Sequence, residues 1–580
     1  MGYEDELIMF NSLSDKQREI VFKKQGRFVV RACPGSGKTY TVAARFANII
    51  NNWDRKYQGI AAISFTNIAW QEIEKMATTQ FGVKKPIPYP HFLGTIDSFI
   101  NQFIFLPFGH LVLGCVNRPT LVGNPKGAWS VRNFRQKAFD NMSYDINGDL
   151  NLTRIKNVRG GPEKYRNDYE KAQKDLNKRG FASQSDSNYF SMRILENYTQ
   201  IAKAITNRFP IIIIDEAQDT SDIQMKIIDI LLENGLEEIM MVGDPDQAIY
   251  EFHDANPALL NDKYESWEEN SVILNDNRRS SQSVCDFTFH LSSLPKSSAA
   301  IADELKGIAL SPQILSYSPD DIESINKLIE NFLTECTSNN IHLGQGKVAV
   351  LTRGRSFVNK IIGAEYSFPD TNPWDKKDIY IGDIAHAKYL WDNNIDTKKA
   401  FYIARNTLIK FKNSRTHFTN NELNEIIFEK GYVKVMKDTH EFLNYIPEPD
   451  TVLSKWVVSL NDMMSEKFTD TVFAINEDYG HLLMSDIFSA DSAKKKFNDY
   501  TLNTIHGVKG ETFEAVLVLL KIKGGSGSHY KTLLESDIKS VDNEELRIVY
   551  VGITRPRKLL YLAVPEKAED AFKKRFYPES

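Results

Sequence analysis

The chain is poor in cysteine and has no long apolar run. Its 580 residues include four cysteines, and no two of them form a Cys-x-x-Cys pair. The cysteines therefore support neither a zinc site nor an iron–sulfur cluster, and reduced thiols fit a cytoplasmic protein. The sequence has no run of about 18 apolar residues and no apolar segment of signal-peptide type at its start. We expect neither secretion nor a membrane partner, and we predict a cytoplasmic location.

The chain also lacks an excess of basic residues, because its formal net charge is −5. This charge argues against a uniformly basic surface for nucleic acid. The charge is uneven, however, since residues 151–180 carry nine Lys or Arg against four Asp or Glu. Such a local basic face can follow a phosphate backbone, although charge runs also occur as plain solvated surfaces. The length and the 42% hydrophobic content indicate a globular protein of about three to four domains.

The most informative segment is a glycine-rich turn after a short apolar stretch. Residues 32–39 read Ala-Cys-Pro-Gly-Ser-Gly-Lys-Thr, so that Ala stands where the general phosphate-loop pattern has Gly. Gly35 and Gly37 allow successive amide N–H groups to turn toward phosphate oxygens. Lys38 can reach the β- and γ-phosphates, and the Thr39 hydroxyl can ligate Mg²⁺. The turn predicts a nucleoside triphosphate site, and the alternative is a turn that binds nothing.

A second motif supplies the acids that such a site needs. The isoleucine-rich run at 209–214 ends in Asp215 and Glu216, which indicates a buried parallel strand with carboxylates at its carboxyl end. Ligands of open α/β sheets bind at that end. Asp215 can hold Mg²⁺, and Glu216 can orient and deprotonate an attacking water. A core strand meeting its loop is the alternative, and the preceding phosphate loop disfavours it.

Strand-like and amphipathic helical segments alternate along the chain, which predicts an α/β fold with parallel sheets. We divide the chain into two α/β cores, each interrupted once by a mainly helical insertion, and we assign the apolar run at 271–274 to the second core. The divisions are a first core at 1–105 and 207–264, a basic, DNA-contacting insertion at 106–206, a second core at 265–356 and 500–580, and a regulatory, partner-binding or duplex-binding insertion at 357–499.

Further motifs follow in a fixed order. They lie at 13–17, 63–69, 94–99, 242–250, 276–280, 503–511 and 549–555. Together with the phosphate loop and the acids, this series resembles superfamily 1 helicases of the UvrD/PcrA/Rep type over nearly the whole chain. The resemblance implies two RecA-like parallel-sheet motor domains, with ATP and Mg²⁺ bound in the cleft between them.

The resemblance also assigns the residues of the ATP site. Gln247 would contact the γ-phosphate, while Arg279 and Arg555 of the second motor domain would act as arginine fingers. The implied catalytic residues are Lys38, Asp215, Glu216, Gln247, Arg279 and Arg555, with Thr39 and Asp215 as the Mg²⁺ ligands. The implied nucleotide contacts are Gln17, Ala32, Pro34, Gly35, Ser36, Gly37, Lys38, Thr39, Tyr40, Arg278, Gly510 and Glu511.

Two nucleotide contacts depart from the family pattern. Arg278 stands where relatives have a tyrosine that stacks on adenine, and a guanidinium plane can also stack on a base. The ribose-contacting acid of relatives is either Glu511, shifted by one position, or missing. Gln17, in the motif before the turn, is a candidate to read the adenine edge.

The resemblance further implies two grips on single-stranded DNA, which combine phosphate contacts with stacking platforms. The implied DNA contacts are Phe65, Thr66, Asn67, Thr95, Phe252, His253, Thr504 and His506. Phe65 would be the platform of the first core, and Phe252 stands where relatives have a stacking tryptophan. His253 replaces an arginine of relatives, which removes a permanent cation near the DNA.

The function implied by the resemblance is an ATP-dependent translocase and helicase that moves 3′ to 5′ along single-stranded DNA, with single-stranded or partly duplex DNA as its partner. An alternative keeps the motor but changes its task. Compact members of this kind resemble the helicase subunit of Gabija-type antiphage systems, which works with a separate OLD-family nuclease. A third interpretation, a degenerate ATPase serving as a scaffold, conflicts with the intact set of catalytic groups.

Overall fold

The computed structural model describes most of the chain. The described residues are 10–122, 142–155, 158, 160–249, 255–362, 373–374, 380–393, 396–413, 418, 420–468, 472–488, 499–521, 530, 533–534 and 538–578. Across these ranges, no helix has both the length and the apolar character needed to cross a membrane.

The first core is built on a sheet of six parallel strands. They are β1 (Arg27–Ala32), β2 (Ile60–Ser64), β3 (Phe92–Thr95), β4 (Ile211–Ile214), β5 (Glu238–Gly243) and β6 (Val272–Leu274). Their order across the sheet is β6-β1-β5-β4-β2-β3. Only β5 separates β1 from β4, so the residues that follow these two strands emerge close together at the carboxyl edge.

Helices cover both faces of this sheet. They include α1 (Asp15–Phe22), α2 (Lys38–Asn51), α3 (Asn67–Thr79), α4 (Ile96–Ile100), α6 (Gln184–Asn197), α7 (Thr199–Arg208), α8 (Asp222–Glu233) and α9 (Ala258–Ser266). Helix α5 (Arg166–Lys178) lies in the insertion and packs in a separate apolar cluster. Successive side chains of β4 enter opposite apolar layers, since Ile212 and Ile214 join one cluster and Ile213 joins the other. A strand buried on both faces explains the unbroken isoleucine run.

The second core contains a five-stranded parallel sheet. Its strands are β7 (Gln313–Tyr317), β8 (Val348–Thr352), β9 (Thr501–Thr504), β10 (Phe513–Leu519) and β11 (Pro556–Pro565), in the order β7-β11-β10-β8-β9. The main helices around it are α10 (Gln282–Phe289), α11 (Ile322–Ser338), α12 (Arg355–Ile362), α18 (Glu544–Ile553) and α19 (Glu569–Phe576). The predicted α/β class with two parallel sheets is confirmed.

A helical unit interrupts the second core between β8 and β9. Its helices are α13 (Ile381–Asp392), α14 (Thr397–Lys412), α15 (Asn420–Lys430), α16 (Tyr432–Tyr445) and α17 (Leu453–Lys467). Trp456, Leu443 and Leu460 are fully buried at the centre of an apolar cluster that contains residues of this unit alone. The insertion therefore has its own core.

The structure differs from the predicted divisions at two places. Strand β6 pairs with β1, with Val30 opposite Val272, so the first sheet continues past residue 264 to Leu274. A short apolar run carries no signal for which of two parallel sheets it joins. Helix α6 and most of α7 fall inside the predicted insertion at 106–206, yet Leu195 and Ile205 pack in the apolar layer of the first sheet. Their amphipathic pattern does not show which surface they cover.

Candidate nucleotide site between the two sheets

The glycine-rich turn connects β1 to α2 at the carboxyl edge of the first sheet. Gly35 and Gly37 have φ values of +74° and +77°, in the left-handed region that favours glycine. A β-carbon on Gly35 would lie 2.5 Å from the Arg279 β-carbon, so this glycine also permits a close approach from the other side. No described side chain caps the first turn of α2. Its amide N–H groups are therefore directed at the space where an anion can bind.

The acids follow β4 beside this turn. Asp215 is fully buried, and the Thr39 hydroxyl donates a hydrogen bond to its Oδ2 at 3.1 Å. The backbone N–H of Glu216 donates to Asp215 Oδ1 at 3.0 Å. Glu216 has a φ of +55°, an unusual value for a residue other than glycine. This backbone conformation turns the two neighbouring carboxylates in different directions. Backbone strain of this kind is typical of functional sites.

The pKa values of the two carboxyl groups, Asp215 and Glu216, shift in opposite directions. Burial, and next the charge of Glu216, raises the pKa of Asp215 to about 7, against a smaller opposing effect of Lys38. Burial also acts to raise the pKa of Glu216, but the charges of Lys38, Lys509 and Arg555 and a hydrogen bond from Gln218 together hold that pKa below its usual range. Glu216 is therefore ionised at neutral pH, as a proton acceptor must be.

The donor atoms at Thr39 and Asp215 fit Mg²⁺. Both are hard oxygen ligands, and a buried carboxyl group with a raised pKa lacks the positive charge that a divalent cation supplies. In the part of the chain that the structure describes, no cluster of three or more His, Cys, Asp or Glu could hold a metal alone. Phosphate oxygens and water would complete the shell, as is usual for Mg²⁺ at nucleotide sites.

The second core reaches the site through Arg555. Its guanidinium is buried, with 1% of the residue exposed, and Nη2 donates a hydrogen bond to Gln247 Oε1 at 2.9 Å. The Gln247 amide nitrogen in turn donates to Asp244 Oδ2. Burial, and next the neighbouring Arg279, lowers the pKa of Arg555. Arginine stays protonated in proteins, so the contact places a cation of the second core beside Gln247 of the first.

Arg279 lies against the glycine-rich turn. Its Nη1 donates to the Thr554 carbonyl at 3.2 Å, next to Arg555 in the chain. Burial lowers the pKa of Arg279 to about 10, which leaves it cationic at neutral pH. The structure thus brings both predicted arginine fingers to the phosphate end of the site.

Asn277 fixes this approach, although the sequence motif predicted no role for it. Its Nδ2 donates to the Pro34 carbonyl at 2.9 Å, and its Oδ1 accepts from the backbone N–H of Arg279 at 2.7 Å. The Arg278 N–H also donates to the Gly35 carbonyl at 2.9 Å. The only sequence signal was its position directly before the two arginines.

The other predicted nucleotide contacts lie at several positions in the two cores. Gln17 is buried beneath it, where Nε2 donates to the Ser36 carbonyl at 3.2 Å and to Thr41 Oγ1 at 3.1 Å. The exposed Arg278 donates to the Ser12 carbonyl at 2.9 Å, and the Tyr40 hydroxyl is hydrogen-bonded to the Ser12 hydroxyl. Gly510 and Glu511 are exposed. Recognition of the base and ribose by these residues stays a prediction.

The predicted DNA contacts of the first core share one edge of the sheet. Phe65 to Asn67 follow β2, and Thr95 ends β3, with Ser64 and Thr95 paired in the ladder. Thr66 and Asn67 are exposed, and Thr66 Oγ1 accepts the Ala69 N–H at 3.2 Å as the cap of α3. Thr95 caps α4 in the same way. The two threonines therefore have a local structural role, and DNA contact stays a prediction.

The predicted contacts of the second core lie at the end of β9. Thr504 Oγ1 accepts the Gly507 N–H at 3.1 Å. His506 is half-buried; its burial, and then the charge of Arg353, lowers its pKa, so that its neutral form is favoured. The remaining two predicted contacts, Phe252 and His253, lie outside the described residues.

Two domain families match this chain and identify the family to which it belongs. The UvrD/REP helicase N-terminal domain matches residues 13–112 and 126–268, and the UvrD-like helicase C-terminal domain matches residues 415–567. The chain belongs to the UvrD-like helicases. The first match contains the glycine-rich turn, the acids and Gln247, and the second contains Lys509 and Arg555.

Individual relatives agree with this assignment. YjcD of Bacillus subtilis (strain 168), provisionally named as an ATP-dependent DNA helicase, is 23% identical over 631 aligned residues, which cover 98% of this chain and 81% of that protein. RexA, an exonuclease/helicase subunit of Streptococcus pneumoniae (strain TIGR4), is 37% identical over 109 residues. An ATP-dependent helicase/nuclease subunit of Streptococcus thermophilus (strain LMD-9) is 38% identical over 109 residues. The match covers 18% of this chain and 9% of the length of each streptococcal protein.

Proposed function

We propose that this UvrD-like chain is an ATP-dependent translocase of single-stranded DNA that separates duplex strands and moves 3′ to 5′. The hydrogen bond from Arg555 to Gln247 carries the proposal, because it joins a cation of the second core to the phosphate-sensing glutamine of the first. A phosphoryl-transfer site completed by a second domain reacts only when the cleft is closed, which ties hydrolysis to domain motion.

The hydrolytic step is an in-line attack of water on the γ-phosphorus. Glu216 accepts a proton from the water as its oxygen bonds to phosphorus, and the bond to the bridging oxygen breaks to give ADP and phosphate. Lys38, Arg279 and Arg555 neutralise the charge on the transferring group. Thr39 and Asp215 would hold Mg²⁺, which when bound neutralises charge on the phosphate oxygens.

Movement follows from the position of the two DNA grips on different cores. The residues after β2 and β3 belong to the first core, and Thr504 and His506 belong to the second. Closure and opening of the cleft would move one grip past the other along the strand. The 3′ to 5′ polarity rests on the family resemblance.

The test measures ATP hydrolysis with and without single-stranded DNA, beside strand displacement on duplexes with a 3′ or a 5′ single-stranded tail. We expect stimulation by DNA, displacement of the 3′-tailed duplex and little displacement of the 5′-tailed one. Absence of any hydrolysis in the presence of DNA would contradict the motor assignment. Preference for the 5′ tail would reverse the polarity and leave the motor intact.

A second candidate function is that of a nucleic-acid sensor in an antiphage assembly with an OLD-family nuclease. The names of the streptococcal relatives, which describe exonuclease/helicase and helicase/nuclease subunits, favour a search for a nuclease partner. The test is co-expression with a nuclease encoded next to this gene, followed by size-exclusion chromatography. Separate elution of the two proteins, together with strong displacement by this chain alone, would favour the first function.

A further inference from the structure

The turn that carries Gln247 is attached to the second core as well as to its own sheet. Asp246 precedes Gln247 in the 3₁₀ turn Pro245–Gln247 and is 1% exposed. Its Oδ2 accepts hydrogen bonds from the Ser292 hydroxyl at 3.0 Å and the Ser293 N–H at 2.8 Å. Its Oδ1 accepts from the Ser293 and Ser540 hydroxyls at 2.7 and 2.8 Å. The carboxylate is therefore surrounded by donors although it is out of water.

These donors form what we call the serine socket, which consists of Ser292, Ser293 and Ser540. Ser292 directly follows Leu291, a fully buried residue of the second core's apolar cluster. The backbone N–H of Ser540 donates to the Leu291 carbonyl at 2.9 Å, which joins the two parts of the socket. The socket thus belongs to the second core, whereas Asp246 follows β5 of the first.

A second attachment lies on the other side of Gln247. Arg547 on α18 of the second core is 2% exposed, and its Nε donates to the Ala248 carbonyl at 2.6 Å. Its Nη1 donates to the Val541 carbonyl at 2.6 Å, next to the socket. Gln247 therefore lies between two points, Asp246 and Ala248, that the second core holds.

We propose that Asp246 is a positioning residue, whose insertion into the serine socket sets Gln247 opposite Arg555 when the two cores are closed. This inference rests on the proposed function, because the role of Gln247 does. A buried carboxylate is stable only with its hydrogen bonds satisfied. Separation of the cores removes all four hydrogen bonds that the three serines donate to Asp246. The insertion of Asp246 therefore depends on closure, and it fixes the position of the neighbouring Gln247.

The experiment compares Asp246→Asn with the wild type. The substitution keeps the side-chain shape, but the NH₂ group that replaces one carboxylate oxygen cannot accept hydrogen bonds. The hydrogen bonds that the socket donates to that oxygen are therefore lost. Asp262→Asn is the matched control, since Asp262 is an exposed acid of the same core. Ser540→Ala removes one donor from the socket, and Ser338→Ala, at an exposed serine of the second core, is its control.

We expect Asp246→Asn to lower kcat of DNA-stimulated ATP hydrolysis by about tenfold, with KM for ATP changed by less than about twofold. Ser540→Ala should give a smaller loss of the same kind, and both controls should match the wild type. In a Gln247→Ala background, Asp246→Asn should cause no further loss, because residues that act through one another are not additive. Equal losses in both backgrounds, or an unchanged kcat, would overturn the proposal.

A distance measurement keeps the test independent of catalysis. Lys56 and Glu330 are exposed positions on the first and second cores. Spin labels would be attached to Lys56→Cys and Glu330→Cys in a Cys115→Ser background. Double electron–electron resonance would then measure the distance between the two labels. We expect a longer or broader distribution in Asp246→Asn than in Asp262→Asn. A wild type without ATP hydrolysis would reject the proposed function alone, whereas identical distributions in the two variants would reject the role of Asp246.

Discussion

Lys509 of the second core forms an ion pair with Asp219 of the first, with 2.8 Å between Nζ and Oδ2. Both side chains are largely buried, at 11% and 3% exposure. Burial raises the pKa of Asp219 to about 6 against the opposing effect of Lys509, and the same lysine is among the groups that lower the pKa of Glu216. One ammonium group of the second core therefore helps to hold Glu216, the proposed proton acceptor, in its ionised form.

We predict that Lys509→Gln raises the pKa of Glu216. Because Glu216 must be ionised to accept a proton, the rate falls as pH falls through its pKa. Loss of the Lys509 charge therefore moves the acid limb of the pH–rate profile to higher pH. The measurement is kcat of ATP hydrolysis between about pH 3.5 and pH 8, a window that reaches below the ordinary pKa of a glutamate.

Lys521→Gln is the control for this prediction. Lys521 pairs with Asp320 at 3.0 Å, but these side chains are 41% and 84% exposed, and pairs in water contribute little. The control should leave the profile unchanged. Lys509→Gln could instead lower kcat equally at every pH and leave the acid limb where it is. That result would show that the lysine does not act on the pKa of Glu216.

We predict that Gly35→Ala abolishes ATP hydrolysis. A β-carbon at this position would lie 2.5 Å from that of Arg279 and 2.7 Å from Asn277 Oδ1, and the backbone is left-handed. The second core must then move away from the glycine-rich turn. The measurement is kcat of ATP hydrolysis together with the thermal unfolding midpoint.

The chain offers a matched control at Gly26. Its φ is +76°, close to the +74° of Gly35, but nothing lies within 4 Å of an added β-carbon. Gly26→Ala should therefore lose about 1 kcal/mol of stability from backbone strain and keep its activity. Equal activity losses in the two variants would assign the effect to backbone strain and not to the clash.

We predict that Lys38→Ala and Glu216→Gln both lower kcat by on the order of a thousandfold or more, with opposite effects on nucleotide binding. Lys38→Ala removes a cation that would contact the phosphates, so the affinity for ATP should fall. Glu216→Gln removes the proposed proton acceptor but leaves the glycine-rich turn intact, so ATP should still bind. Fluorescent ATP-analogue titration checks both, and a loss of binding in Glu216→Gln would contradict its assignment as the base.

The sequence predicted the parts of the site that lie in continuous segments. The turn at 32–39 and the acids at 215–216 have local patterns, and the isoleucine run specified a strand buried on both faces. The pairing of β6 was not predictable, because Val-Ile-Leu fits an edge of either sheet. The socket around Asp246 was also missed, since its serines lie far away in the sequence and serine alone has no informative pattern.

We predict that Asp215 destabilises the ligand-free fold at neutral pH. Its folded-state pKa of about 7 exceeds the ordinary value of 3.8, so the folded state binds more protons between these values. The stabilisation from the protonated form is full below the ordinary pKa and is lost as pH rises through about 7. Asp215→Asn should therefore raise the thermal unfolding midpoint at pH 8 by roughly 2 °C or more.

The pH dependence provides the control for this last prediction. Near pH 4 the Asp215 carboxyl group is protonated in the fold, so the wild type and Asp215→Asn should unfold at similar temperatures. Adding ATP with Mg²⁺ at pH 8 should stabilise the wild type more than the variant, because only the wild type offers a carboxylate to the cation. A midpoint in Asp215→Asn that lies above the wild type by the same amount at both pH values would assign the difference to packing. The difference in midpoint would then not arise from the cost of burying the Asp215 charge.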